Sequence, residues 1–246
     1  MGLLVVLLAL WLDIGFGVTA RGQDLAEANA LYDQGVMLKA AELARGIGTP
    51  DGYVLASRSA LVAAVYQMPQ VDIALLEQAA ADARAALALD PDHLQAHLQL
   101  TLAIGHIAEQ DPIGAHFDGS AHDGKALLDR ALALAPDNAW VHGLLGVWHL
   151  RLVKHAGPLL AESLYDASVE RGREQCAEAA SLAPDDLAIR FGCAISLLEA
   201  HPTRFADEAV DVLDTLVRLP AKDAATELVQ NEARRRLAAL ESDLSD

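Results

Sequence analysis

Apolar positions recur every three to four residues along most of the chain, and prolines punctuate them at long intervals. The stretch 125–153 shows the pattern best. Leu127, Leu128, Ala131, Leu132 and Leu134 form one apolar stripe, so this segment is predicted to be a helix. Ala135-Pro136-Asp137-Asn138 interrupts it. Pro136 removes a backbone donor, and Asp137 or Asn138 can cap the next helix. That second helix carries Trp140, Leu144, Leu145, Val147 and Trp148, with Gly143 and Gly146 admitting a close neighbour. The helix–turn–helix pattern recurs at 81–105 and at 172–200.

The punctuating residues Pro91, Pro136, Pro184 and Pro220 stand 45, 48 and 36 residues apart. A period in this range marks a stacked array. Two intervals exceed the roughly 34 residues of a simple helix-pair repeat. The surplus falls at 109–123 and 154–166, which are therefore insertions able to cap the array or cover its groove. Residues 23–47 are predicted as one long helix, ended by the Gly-rich segment 46–52, and 53–67 as a second. This pair forms a degenerate first repeat. Residues 72–89 give the next helix. Residues 223–240 give a C-terminal capping helix, with Arg234, Arg235, Arg236, Glu227 and Glu232 expected on a charged outer face. No long alternating segment or Asn-Gly hairpin signal occurs, so the fold class is all-α.

The pieces ARAALALDP at 83–91, RALALAP at 130–136 and the pair Leu145-Gly146 resemble the tetratricopeptide repeat (TPR). That resemblance implies a TPR-like right-handed superhelix with the two long insertions and a capping C-terminal helix. A looser resemblance spans 124–240: ALLDRALALAPDNAW, LLGVWH, LAESLY, CAEAASLAPD and LPAKDAATE. It is similar to bacterial relatives of the regulator of microtubule dynamics family. It is also similar to periplasmic TPR partners of tripartite solute transporters.

Composition narrows the function. The 246 residues are 53% hydrophobic but only 4% aromatic, and the net charge is −17. Nucleic acid and anionic membrane surfaces call for basic patches and are disfavoured. Residues 1–20 contain the apolar run Leu3–Leu12 and the small-residue pattern Val18-Thr19-Ala20. The run is too short to span a bilayer but suits a signal peptide. The expected organisation is therefore a leader at 1–20 and a single repeat domain at 21–246, in a periplasmic or otherwise exported protein. An uncleaved N-terminal anchor and a misassigned start stay open. After leader cleavage no membrane insertion is expected.

Catalytic signatures such as HExxH, a Walker loop or GxSxG are missing, so no enzyme activity, catalytic residue, metal or cofactor is expected. His93 and His97 share a helix face, but His97 and His142 hold equivalent repeat positions, which favours packing and hydrogen bonding over a metal site. Cys176 and Cys193 sit on apolar stripes either side of Pro184. Two buried thiols are expected, with a disulfide as the alternative.

In the TPR resemblance the first helix of each repeat lines the concave side. Counting along these helices places Leu98, Leu102, Trp140 and Val147 there, followed by Arg151, Phe191 and Ile195. This implies an apolar groove with one Arg. Either it receives a protein, a peptide or an apolar ligand, or the insertions and C-terminal helix fill it as core. The leading expectation is an exported, non-enzymatic helical-repeat scaffold for protein–protein interaction. The alternative is a small apolar-ligand-binding accessory protein of an envelope solute transporter.

Overall fold

The computed structural model describes residues 12–243. Thirteen α-helices follow one another, with no strand among the described residues. They are α1 Leu12–Asp33, α2 Met37–Ile47, α3 Pro50–Val62, α4 Ile73–Leu89, α5 Leu94–Gln110, α6 Pro112–Phe117 and α7 Ser120–Leu134. Then come α8 Ala139–Ala156, α9 Pro158–Tyr165, α10 Val169–Leu182, α11 Leu187–Ala200, α12 Pro202–Arg218 and α13 Ala224–Asp243. Of the expected leader, residues 1–11 lie outside the described residues, and α1 runs on through Ala20. No described helix is long and apolar enough to cross a membrane.

One turn recurs and explains the periodicity. His93, Asn138 and Asp186, each two residues after a punctuating proline, cap α5, α8 and α11. Their side chains accept backbone N–H bonds from Ala96, from Trp140 and Val141, and from Ala188 and Ile189 respectively. A second bond closes each turn. The side chain six residues after the proline donates to the proline carbonyl. His97 Nε2 lies 2.9 Å from Pro91 O, His142 Nε2 lies 2.6 Å from Pro136 O, and Arg190 Nη1 lies 3.1 Å from Pro184 O. The two histidines thus spend a ring nitrogen on holding the turn, as their equivalent places in the repeat suggest.

The helices pair antiparallel and stack. α3, α5, α8 and α11 face inward, and α2, α4, α7, α10 and α12 back them. The two insertions fold into the short helices α6 and α9. Behind α8 the packing is close. A Cβ on Gly146 would come within 2.5 Å of Cys176 Sγ and 2.9 Å of Gly172 O, and one on Gly172 within 2.6 Å of Leu150 Cγ. Only glycine lets these two backbones meet. Cys176 and Cys193 are joined by a disulfide with Cα atoms 5.8 Å apart, so the expectation of two free thiols is corrected. The bridge ties α10 to α11.

The long helix expected at 23–47 is in fact two. It breaks after Asp33, and Gly35 takes a left-handed conformation with φ +81°. The break turns α2 back along α1. It also brings Gly35 against Ala224 of α13, whose Cβ would lie 3.0 Å from a Cβ at Gly35. The last helix therefore reaches the first, and Ala225 joins the core of Ala28, Tyr32 and Met37.

Leu145 is buried between Leu98, Leu128 and Leu144. Leu145→Ala should cost about 2–5 kcal/mol in chemical denaturation, as for a fully buried leucine. A loss below about 0.5 kcal/mol, the range of surface substitutions, would mean that this face of α8 is not core.

Candidate functional site: the inner cavity

The inward helices enclose a cavity of about 1240 Å³, and α13 crosses its open side. All seven residues placed in the groove by counting line it. They divide by exposure. Leu98, Phe191 and Ile195 are buried and double as core, whereas Leu102, Trp140, Val147 and Arg151 are half-buried. The groove is neither wholly open nor filled. α13 covers part of it through Val229, Glu232 and Arg236, leaving substantial space between. Glu232 and Arg236 thus border the cavity, which corrects the expected placement of the α13 charges on an outer face alone. α6 and α9 reach its edge through Ile113, Leu160 and Leu164.

Trp140 stands at the first turn of α8. Its indole Nε1 donates to Asp186 Oδ2 at 3.1 Å, so the cap of the next repeat fixes the ring. Eleven residues on, Arg151 lies on the same helix, also facing the cavity. It is not the lone charge that the sequence implied. Arg151 Nη1 lies 2.5 Å from Glu109 Oε2. Lys154 Nζ bridges Glu109 and Glu199 at 3.2 and 2.9 Å, and His155 Nε2 lies 2.7 Å from Glu109 Oε1. Glu109 is the hub. Burial alone would raise its carboxyl, but the Arg151 charge and hydrogen bond, helped by His155 and Lys154, outweigh that and hold it at about 2. The neighbouring His106 is lowered to about 4, chiefly by burial and then by the Arg151 charge. Tyr66, across the cavity, is pushed up to about 12 by burial, with Glu232 adding to the shift.

Three buried polar atoms on cavity-lining residues have no hydrogen-bond partner among the described residues: Arg58 Nε, Gln99 Oε1 and Arg151 Nε. Two are donors and one is an acceptor, set among apolar walls. Polar atoms left in that condition normally meet water or a ligand. Glu109, His106, Arg58 and Gln99 were not singled out from sequence. The i, i+3 pair His106 and Glu109 at the end of an apolar helix is the signal that could have found two of them.

This array of capped, antiparallel helix pairs around a concave surface is a TPR-like helical-repeat fold, all-α throughout the described residues. The thermophilic TPR protein TTC0263 of Thermus thermophilus aligns with 89% of this chain and 98% of its own, at 18% identity and a TM-score of 0.65. At that identity the likeness concerns the fold alone. The assembly chaperone of RpL4 (Acl4) also aligns, at 14% identity over 92% of this chain and 99% of its own, but its TM-score is only 0.29. No curated protein matches at a significant level. Residues 25–241 match the family described as regulator of microtubule dynamics protein 1-3, and the chain belongs to that family.

Stability should depend on pH through His106 in the cavity and His149 outside it. His106 and the buried His149 are both lowered from 6.5 to about 4. Between those values the unfolded chain binds protons that the folded chain excludes, so stability falls as pH falls through this window. Glu109 adds a further loss as pH drops from its ordinary 4.5 towards about 2. The melting temperature should therefore decline from pH 6.5 to 4, and the decline should be shallower when both histidines are replaced by Gln. An unchanged slope in that variant would refute the assignment.

Proposed function

We propose that this chain is an exported, non-enzymatic helical-repeat scaffold that holds an extended segment of a partner protein in the inner cavity. A TPR-like repeat fold is a protein-interaction architecture. The observation that carries the reading is the roomy cavity whose mostly apolar wall includes unmatched donors and an unmatched acceptor. An extended peptide offers what such a wall lacks, namely backbone N–H and C=O groups alternating with apolar side chains. Trp140 supplies apolar area and the Arg151 region supplies donors, both side-chain types enriched at interface hot spots. The carboxylate of Glu109 is locked in ion pairs, which suits a binding wall better than a general base.

Export is supported by the apolar run at 3–12 and by the Cys176–Cys193 disulfide, since such bonds persist in oxidising compartments. Mature protein from the native host should begin near Arg21 by mass spectrometry. Soluble protein retaining Met1 would end the export proposal.

A second reading is favoured by the cavity's size and by its border of Leu102, Trp140, Val147 and Phe191. In it, the chain is a small apolar-ligand-binding accessory protein of an envelope transporter. Filling the cavity tests both. Val147→Trp should abolish recovery of a protein partner that wild-type bait captures reproducibly, with the melting temperature little changed. Under the second reading the wild type instead carries a small apolar molecule, detected by mass spectrometry of its organic extract, that the filled variant lacks. Trp140→Ala and Arg151→Ala should each weaken capture without unfolding the chain. Were Trp140→Ala to unfold it and Arg151→Ala to leave capture intact, the groove would lose its role and only the scaffold would stand.

A further inference from the structure

The two insertion helices do more than close the cavity's edge. Ten large apolar residues are exposed among the described residues, and five of them lie on α6 and α9, which together make up only fourteen residues. Ile113, Phe117 and Leu159 are 74%, 83% and 85% exposed, and Leu160 and Leu164 about half. Side chains of this kind scattered singly need no explanation, but a cluster does. The two helices are tied to each other. His116 of α6 is hydrogen-bonded through Nδ1 to the Tyr165 hydroxyl at the end of α9, and His122 lies against the same ring at 5.0 Å between centroids. Trp148 anchors the neighbourhood by donating to Ala121 O at 3.0 Å.

Charge says what can cover this face. Its cations are already taken: Lys125 by Asp129, Arg171 by Asp166, and Lys154 by Glu109 and Glu199. Asp111, Asp118, Asp123 and Glu162 on and beside the two helices have no cationic partner among the described residues, and all are exposed. The face is thus an apolar patch with an acidic rim. A second copy of the chain would press one acidic rim against another. An anionic membrane would meet the same repulsion, and the chain as a whole carries −17.

From this we infer that α6 and α9 form a docking surface, on the outer rim of the inner cavity, for a basic amphipathic helix of a partner protein. Leucine-like side chains of that helix lie over Phe117, Leu159 and Leu160. Its Lys or Arg residues face Asp118, Asp123 and Glu162. Phe117, Leu159, Asp123 and Glu162 do not line the cavity, so the two sites are separable by substitution.

The test uses the full chain and a labelled synthetic helical peptide of Leu and Lys in amphipathic register, beside a Leu and Glu peptide of the same apolar pattern. Fluorescence anisotropy should show the Lys peptide binding at least about tenfold more tightly than the Glu peptide. Phe117→Ser with Leu159→Ser should weaken it by about tenfold or more, and Asp123→Asn with Glu162→Gln should weaken it and flatten its salt dependence. These residues are exposed, so the melting temperature should not move. The cavity-filling Val147→Trp should leave this binding unchanged even if it abolishes capture in the groove. Equal affinity for the two peptides, or Lys-peptide binding indifferent to the Phe117 and Leu159 changes, overturns the proposal. So does a dimer in sedimentation equilibrium that those changes dissolve, which would assign the face to a second copy. Co-flotation with phosphatidylcholine–phosphatidylglycerol vesicles lost in the same variant would assign it to lipid and overturn it equally.

Discussion

The structure depends on how closely α8 and α10 approach. Gly146 and Gly172 meet with no room for a Cβ on either, and Leu150 and Cys176 pack over the contact. This puts α8 deep in the array, with α5 and α7 on one side and α10 and α11 on the other. The inward pitch of α8 then sets where Trp140, Val147 and Arg151 stand. The disulfide between α10 and α11 carries the same constraint into the next repeat. A methyl group at either glycine would push α10 outward and turn the cavity wall with it.

A void this large must be upheld, not merely left over. The cavity is partly open, so its wall must tolerate contact with water. The ion network around Glu109 suits that demand, because charged groups that satisfy one another resist collapse into an apolar core. Outside the cavity, Arg45 and the nearly buried Asp82 make two hydrogen bonds of 2.7 Å and fasten α2 to α4. The contact of Gly35 with α13 brings the end of the array back to its beginning. Backing packing and ring closure together hold the walls apart.

How much of this was legible depends on the range of each interaction. The repeat was readable because its proline, cap and apolar stripe lie within one turn of each other. The groove face was readable because helical periodicity alone decides which side of α5, α8 and α11 points inward. Gly35 was missed because Leu31 and Val36 continue the apolar pattern across it, although Asp33-Gln34-Gly35 is a turn signal. Arg151 seemed unpaired because its partner Glu109 stands on another repeat, where no local pattern can announce it. The cysteines were half readable. They sit eight residues before and nine after Pro184, nearly mirror positions about the turn, and antiparallel helices bring such positions face to face.

The insertions mark the limit of pattern reading and the place where this chain differs from a plain array. A repeat helix is constrained on both sides by its neighbours, so its apolar residues have to be spent on packing. α6 and α9 lie between the two helices of a repeat and answer to fewer partners. Their apolar residues can be left in solvent without weakening the stack, which is why periodicity said nothing about them. Ile113, Leu160 and Leu164 line the cavity and also face outward, so the two helices join the inner wall to the outer surface. Any segment that docks on them from outside lies at the cavity's edge, close to whatever the groove holds. The proposed groove site and the proposed docking surface are therefore adjacent in space, although the residues that form them are independent in sequence.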